Sequence, residues 1–449
     1  MLKRALVIFF LLLVLISGSV AAAIAPEVEI KTEIEAEAKS TLLRGQFAAL
    51  LVDAAELAGE GEATDILIQH GIMKGVPGKG ADADRPIQRA EAAVLLARTL
   101  GLMDNIAPPA EADIALPTDH WAYNSYAWLA RLGLVSGDPL AVLSPEDGAD
   151  LLEYAFQPAA EDVLAILEEY QARSQSEPAS RVQSVMDVKM KFTARPGAEE
   201  AGESLGTLAP EINIVQTLVL PDKIHQINTI KMPVPGEEGT EEIRSESYIV
   251  DGHMYQQLPD PETGELTWFK YPQSLMPDLE QLIEQAQQQT QVIPPGLEKT
   301  LFYKLLGTSE RNGEEVYEIS FYSRIEDLEE FLSHALAVMG ESEFIGQALG
   351  SFGSLVDNLS VWGLNYIGVD DFLPRQTYMA LLLTFPELIE DEPIPLESIE
   401  AQIAVDEYNF GEDIDISIPS EVLAAPELEL PELDFEAELK LQPELDPKP

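Results

Sequence analysis

The sequence predicts an α+β chain with an N-terminal all-α unit of helical repeats, followed by a curved antiparallel β-sheet, a half-barrel with helices on its concave face. Three observations predict this fold class. Apolar residues recur at helical spacing between residues 40 and 156. After residue 180 they alternate at every second position. Two helical stretches then interrupt the strands before the strands resume, which is typical of helices packed across an antiparallel sheet.

The composition limits the classes of partner. The chain has 449 residues, with 79 acidic against 27 basic side chains and a formal net charge of -52. Such a surface repels nucleic acid, whose phosphates need cationic partners. The chain contains no cysteine, so disulfides and thiolate zinc sites are excluded.

The N-terminus has the pattern of a secretory signal. Lys3 and Arg4 precede an apolar run from Ala5 to Ile16, a Ser-Gly-Ser break follows, and small residues end at Ala23. We therefore predict a signal peptide over residues 1–23 and an exported, extracellular protein rather than an integral membrane protein. The alternative is an uncleaved anchor, which needs ~20 apolar residues.

Three related segments make up the predicted helical unit, residues 40–156. The first contains Leu43-Arg44-Gly45-Gln46, and the second contains Gln88-Arg89-Ala90-Glu91, which opens an amphipathic helix. The third begins with His120-Trp121-Ala122 and ends at Ser144-Pro145-Glu146-Asp147. The spacing of these segments is typical of a repeat array.

These motifs resemble the S-layer homology repeat, a module that anchors proteins to the cell wall. The resemblance implies grooves that bind a pyruvylated secondary cell-wall polysaccharide through the motif arginine and the His-Trp pair. Arginine suits this role because its planar fork can hold a carboxylate bidentately. An alternative is that His120 and Trp121 are only cap and core residues. The candidate binding residues are Arg44, Arg89, Glu91, His120 and Trp121.

A helix and linker, residues 157–180, are predicted to join the two units. The helix is expected from Pro158 to Tyr170, and a polar stretch follows it. The half-barrel is then predicted over residues 181–422. Its first strand alternates apolar Val182, Met186 and Val188 with polar neighbours, and the segment from Thr300 to Gly307 is of undetermined type.

Three motifs in this second unit resemble the LolA-type lipoprotein-carrier superfamily: the hairpin from Tyr248 to Tyr255, Trp268-Phe269-Lys270, and the strand from Arg375 to Leu383. The resemblance implies a half-barrel around an apolar cavity that can hold acyl chains. The alternative is an interior filled by its own side chains. Candidate cavity residues are Met186, Val188, Met190, Phe192, Leu218, Leu282, Leu328, Leu332 and Phe352.

Catalytic motifs are not recognisable in this sequence. The five histidines are not paired at metal-ligand spacing, and no phosphate loop or nucleophile elbow occurs. Asp82 with Asp84, and Asp413 with Asp415, are weak calcium candidates. We predict a binding protein with no enzymatic activity, no cofactor and no metal, and a disordered acidic tail over residues 423–449. A purely structural surface protein and a wall-acting hydrolase remain the alternatives.

Overall fold

The computed structural model places the helices and strands of both predicted units. Residues 1–23, most of the predicted tail, and the candidates Leu282, Leu328, Leu332 and Phe352 lie outside the described residues. The described residues are 41–74, 80–102, 114–174, 180–195, 209–220, 223–233, 239–259, 265–272, 300–325, 356–389, 392–393, 396–411 and 413–428.

Seven helices lie in the described ranges. Five of them form the N-terminal helical unit, the sixth follows it, and the seventh is a single turn near the end of the chain. Their bounds are α1 (Arg44–Ala54), α2 (Ala63–Gln69), α3 (Arg89–Thr99), α4 (Tyr123–Arg131), α5 (Pro145–Phe156), α6 (Glu161–Ser174) and α7 (Ser420–Leu423).

Thirteen strands occur in the same ranges, and eleven of them form one curved antiparallel sheet in the order β6-β5-β4-β3-β2-β1-β13-β10-β9-β8-β7. The short strands β11 and β12 pair with each other. The strand bounds are β1 (Arg181–Ala194), β2 (Glu211–Val219), β3 (Lys223–Pro233), β4 (Thr240–Val250), β5 (His253–Pro259), β6 (Leu266–Lys270), β7 (Leu301–Arg311), β8 (Glu314–Ile325), β9 (Asn358–Gly368), β10 (Pro374–Thr384), β11 (Leu388–Ile389), β12 (Glu392–Pro393) and β13 (Leu396–Phe410).

The curved antiparallel sheet confirms the strand prediction, and the segment of undetermined type is β7. Helix α6 begins at Glu161 rather than at Pro158. The two acidic residues Glu161 and Asp162 lie in its first turn, where a negative charge interacts favourably with the helix dipole.

One face of the sheet packs against α6, and we call it the α6 face. Val163, Ile166 and Leu167 of α6 share a core with alternate residues of β1 and with strands β7 to β10 and β13. Tyr170 of α6 interacts electrostatically with Tyr303 on β7 and with Glu407 on β13, although three strands separate these two strands. The sheet therefore curves around α6, and the α6 face is its concave side.

The helical unit packs on the opposite face of the sheet, against β7 to β10. Phe302, Tyr322 and Trp362 point to this side and belong to the same core as the repeats. Trp128 of α4 meets Trp362 edge to face, with ring centroids 5.9 Å apart and planes at 88°. This arrangement differs from a chain of separate units because the repeats and the sheet share one buried core.

Polar contacts reinforce this interface. The hydroxyls of Ser320 and Tyr322 donate to the carbonyl oxygens of Leu132 (2.8 Å) and Ala155 (2.5 Å). Lys304 donates to the carbonyl of Gln157 at 2.8 Å. Arg131 forms an ion pair with Glu318, with Nη1 and Oε1 2.5 Å apart. These four side chains are therefore paired across the boundary, which fixes the orientation of the helical unit.

The C-terminal segment, residues 413–428, covers the opposite face of the other half of the sheet. Ile416 and Val422 pack against Tyr248 and Val250 of β4. The chain then bonds to the edge strand β6, where the amide of Lys270 donates to Pro426 O at 2.8 Å. The predicted tail begins at residue 423, but the structure keeps the chain against the sheet as far as Leu428.

Candidate functional site

The α6 face has a filled half and a half that α6 leaves partly uncovered. Under α6, residues such as Leu381, Ile403 and Ile319 are almost completely buried. The predicted cavity residues Val188, Met190 and Phe192 are 2%, 4% and 6% exposed, so they belong to this filled core. This half of the face is therefore filled by its own side chains, which is the alternative to a ligand cavity that the sequence left open.

The second half of the α6 face consists of strands β1 to β5, and we call it the wing. One row of side chains crosses all five strands in register and is entirely apolar, and every member is only half-buried. The predicted residue Leu218 belongs to this row. Predicted Met186 lies four positions beyond Val182, the β1 member of the row, and pairs with Ile214 of β2; both are half-buried. The row comprises Val182, Leu218, Ile224, Ile249 and Met254.

A carboxyl group lies where the wing meets the filled half. Glu407 of β13 is the register partner of Ser184 on β1, and it faces the α6 side. Loss of hydration raises the pKa of Glu407 to about 7, and the guanidinium of Arg375 opposes this shift only partly. Arg375 is already engaged by the carboxylates of Asp371 and Glu314. Glu407 is therefore a group that gains or loses its proton near neutral pH.

The three repeats of the helical unit meet at a closed triangle of backbone hydrogen bonds. Leu42 N donates to Leu143 O (2.9 Å), Leu143 N to Ile87 O (3.0 Å), and Ile87 N to Leu42 O (3.0 Å). Each of these residues precedes the first residue of α1, α3 or α5 by two positions. The three segments that the sequence marked as related are therefore equivalent in their backbone contacts.

The third residue of each of these helices caps its own N-terminus. A side-chain oxygen of Gln46, Glu91 or Asp147 accepts the amide of the N-cap residue, Leu43, Gln88 or Ser144. Glutamine and aspartate preserve this acceptor, which explains why the motif tolerates them. Glu91 also forms two hydrogen bonds with Arg85 and is 14% exposed at its side chain. The position of Glu91 is therefore that of a structural residue.

The predicted arginines Arg44 and Arg89 occupy equivalent positions between successive repeats. Arg89 donates to the carbonyl of Ser136 at 2.9 Å, and its Nη2 lies 4.0 Å from a carboxylate oxygen of Asp147. Arg44 makes a single long contact of 3.4 Å with the carbonyl of Lys74.

Arg44 is the less satisfied of these two cations. Burial lowers the pKa of Arg44, and neighbouring Arg85 lowers it further, while Glu91 and Asp82 raise it. The Nε atoms of Arg44 and Arg89 are both buried without a hydrogen-bond partner, so the difference lies in the terminal nitrogens. A guanidinium that is partly desolvated and weakly paired is suited to receive an external anion.

The predicted pair His120 and Trp121 does not form part of a core. His120 Nδ1 lies 3.2 Å from the amide of Ala122 and accepts from it, so His120 acts as a cap. Trp121 is 59% exposed, because it precedes α4 and points away from the face that buries Trp128. The interpretation of Trp121 as a core residue is wrong.

One member of each acidic pair considered as a calcium candidate is engaged by a cation. Asp82 lies 3.3 Å from Arg85, and Asp415 lies 2.7 Å from Lys223. Within the described ranges, no three histidine or acidic side chains lie close enough to share a metal ion. No helix among the described residues has both the length and the apolar character needed to span a bilayer.

Sequence reasoning missed Glu407 and the half-buried wing residues Ile214, Ile224 and Ile249. Alternation identifies the buried side of each strand, but it does not show where α6 ends and where the face is left half-exposed. Only the register of five strands shows that these side chains form one surface.

Comparison with known proteins gives distant structural likenesses. No family model matches the chain, and no curated protein matches it. LprF from Mycobacterium bovis is similar at 11% identity and a TM-score of 0.30, over 58% of this chain and 98% of that one. LppX from Mycobacterium tuberculosis is similar at 10% identity and a TM-score of 0.24, over 57% and 100% of the chains. A LolA superfamily protein from Nitrosomonas europaea is similar at 10% identity and a TM-score of 0.15, over 57% and 95%. Likenesses this distant do not identify a ligand.

Proposed function

We propose that the protein is an exported binding protein that holds a lipid or another apolar ligand on the wing of its sheet. One observation carries this proposal: a continuous apolar row across five strands stays half-exposed on the concave side of the sheet. Soluble proteins rarely leave such a surface without a partner. A concave apolar surface is also the usual form of a small-molecule site.

The proposal predicts that an acidic side chain on the wing prevents ligand binding. Ile214→Glu places a carboxylate among the wing residues, whereas Val215→Glu places the same group on the opposite face, where Val215 is 38% exposed. We expect Ile214→Glu to lower the affinity for a fluorescent fatty-acid probe at least about tenfold, because burying an unpaired charge is costly. We expect Val215→Glu to bind normally.

Titration of the probe, together with mass spectrometry of an organic extract of the purified protein, measures this effect. Apolar compounds in the extract of the unmodified protein would support the proposal. An empty protein that also fails to bind the probe, or equal binding by both variants, would contradict it. In that case the sheet acts as a structural spacer in a surface protein.

We propose further that the helical unit attaches the protein to the cell wall by binding an acidic secondary cell-wall polysaccharide. The repeated backbone contacts and the weakly paired guanidinium of Arg44 support this role. Arg89 is the second candidate, but its guanidinium already donates to Ser136 O. Glu91 has a structural role rather than a binding role. Trp121 is exposed, so its indole ring offers a surface on which a sugar ring can stack.

If the helical unit binds the wall, replacing Arg44 should lower retention on the wall more than replacing Arg89. Arg44→Ala should lower retention on purified wall about tenfold, because a charge-assisted bidentate contact is lost. Arg89→Ala should have a smaller effect, and Arg244→Ala, on an exposed position of β4, should have none. Sedimentation with wall material, before and after chemical removal of its acidic groups, measures retention. Unchanged retention in the Arg44, Arg89 and double variants would contradict the proposal.

A further inference from the structure

A row of polar side chains crosses the wing beside its apolar row. Ser184 of β1 lies in register with Gln216 of β2, and Gln216 lies in register with Gln226 of β3. The row continues through Ser247 of β4 to Gln256 of β5. We call these five residues the polar belt. Glu407 extends it onto β13 as the register partner of Ser184.

Apolar side chains border the belt across all five strands on one side, and on β1 and β2 on the other. The half-buried row that contains Leu218 lies towards one end of the strands, and Met186 with Ile214 lies towards the other. Because residues alternate between faces, all of these side chains point to the concave side. The belt is therefore a hydrogen-bonding strip beside an apolar row, and Asn228 and Ser245 extend the polar surface on β3 and β4.

The hydrogen-bonding capacity of the belt is only partly used within the chain. Gln226 donates to Asn228 (2.9 Å), and Gln256 accepts from the hydroxyl of Tyr271 (2.8 Å). The side chains of Ser184, Gln216 and Ser247 make no hydrogen bond to any residue that the structure describes. Ser247 is 6% exposed, and Ser184 and Gln216 are half-buried.

The chemistry of the belt selects against a charged ligand group. Hydroxyl and amide side chains both donate and accept, which matches hydroxyl groups of a ligand. No lysine or arginine belongs to the belt, and Arg375, the cation that acts on Glu407, is already paired with Asp371 and Glu314. An anionic head group placed here would meet no cationic side chain of the belt and would lie beside Glu407.

We infer that the ligand of the wing is an amphiphile whose polar part is uncharged and rich in hydroxyl groups, such as a glycosyl diglyceride. Its hydroxyl groups bond to Ser184, Gln216 and Ser247, and its acyl chains lie on the apolar row that contains Leu218. This inference rests on the proposed function and names the class of ligand for the same site.

The test uses two lipids with identical dioleoyl chains, a galactosyl diglyceride and phosphatidylglycerol, and measures their affinity for the full chain. We expect the galactosyl lipid to bind at least about tenfold more tightly. Gln216→Leu replaces the amide by an apolar, branched side chain. It should weaken binding of the galactosyl lipid about tenfold and change that of phosphatidylglycerol less than about twofold. Gln257→Leu, the same change on the opposite face of β5, should alter neither affinity.

The outcomes separate this inference from the proposed function. Equal or tighter binding of phosphatidylglycerol, or equal effects of Gln216→Leu on both lipids, would overturn the inference and leave an apolar-ligand site. Binding of neither lipid would overturn the proposed function as well. The melting temperature of each variant shows whether a loss of binding reflects unfolding. If Gln216→Leu unfolds, Ser184→Ala is measured in its place. We expect the same selective loss of affinity for the galactosyl lipid, and equal effects on the two lipids would again overturn the inference.

Discussion

Replacing Trp362 by alanine is expected to lower the free energy of unfolding by about 3–5 kcal/mol and to destabilise the helical unit and the sheet together. Trp362 is completely buried, and its ring packs edge to face on Trp128 of α4. The truncation leaves a cavity between the two units, so the loss combines the transfer free energy of the ring with the cavity cost. Urea denaturation followed by circular dichroism measures the change.

Two variants control this experiment. Trp121→Ala removes the same side chain from an exposed position and should change the free energy of unfolding by less than about 0.5 kcal/mol. Trp362→Phe keeps an aromatic ring and removes an indole N–H that is buried without a hydrogen-bond partner, so it should cost less than the alanine variant. If helical and sheet signals of Trp362→Ala separate into two transitions, with the helical one unchanged, the shared core does not couple the units.

Most strands could be predicted from the sequence because alternation is a local property. In β1, the apolar residues Val188, Met190 and Phe192 define the buried side without knowledge of any other strand. The packing of the helical unit on the sheet could not be predicted in this way. Strand β9 is buried on both faces, and such a strand shows that something covers each face but not what covers it.

The candidate sites show the same division between local and long-range information. The internal repetition around Arg44 and Arg89 could be recognised from the sequence, whereas the capping role of Glu91 needed its contacts with Gln88 and Arg85. The polar belt could not be predicted because Gln216 and Ser247 each resemble ordinary solvent-facing strand residues. Only the pairing of five strands places them in one row on the concave side.

We expect Lys304→Met to stabilise the folded protein at neutral pH and to destabilise it at alkaline pH. Lys304 is 5% exposed, and its ammonium group contacts only the carbonyl of Gln157 and the ring of Tyr154 among the described residues. Burial lowers the pKa of Lys304 from 10.5 to about 8. At pH 7 both states are protonated, so the folded protein bears the full cost of the buried charge and the methionine variant should be more stable by about 1–2 kcal/mol.

As the pH rises above 8, the folded wild-type protein loses this proton before the unfolded chain does, so the wild type gains stability relative to the variant. The difference between the two proteins should change by about 2 kcal/mol between pH 7 and pH 9.5. The neutral amine still donates to Gln157 O, a bond that methionine cannot make, so the wild type should become the more stable protein at the alkaline end. Urea denaturation at several pH values measures the difference, and Lys189→Met, at an exposed position of β1, should show no such dependence. A difference between wild type and Lys304→Met that stays constant over this range would mean that the ammonium group of Lys304 is hydrated in the folded protein, and that the helical unit does not seal this part of the sheet.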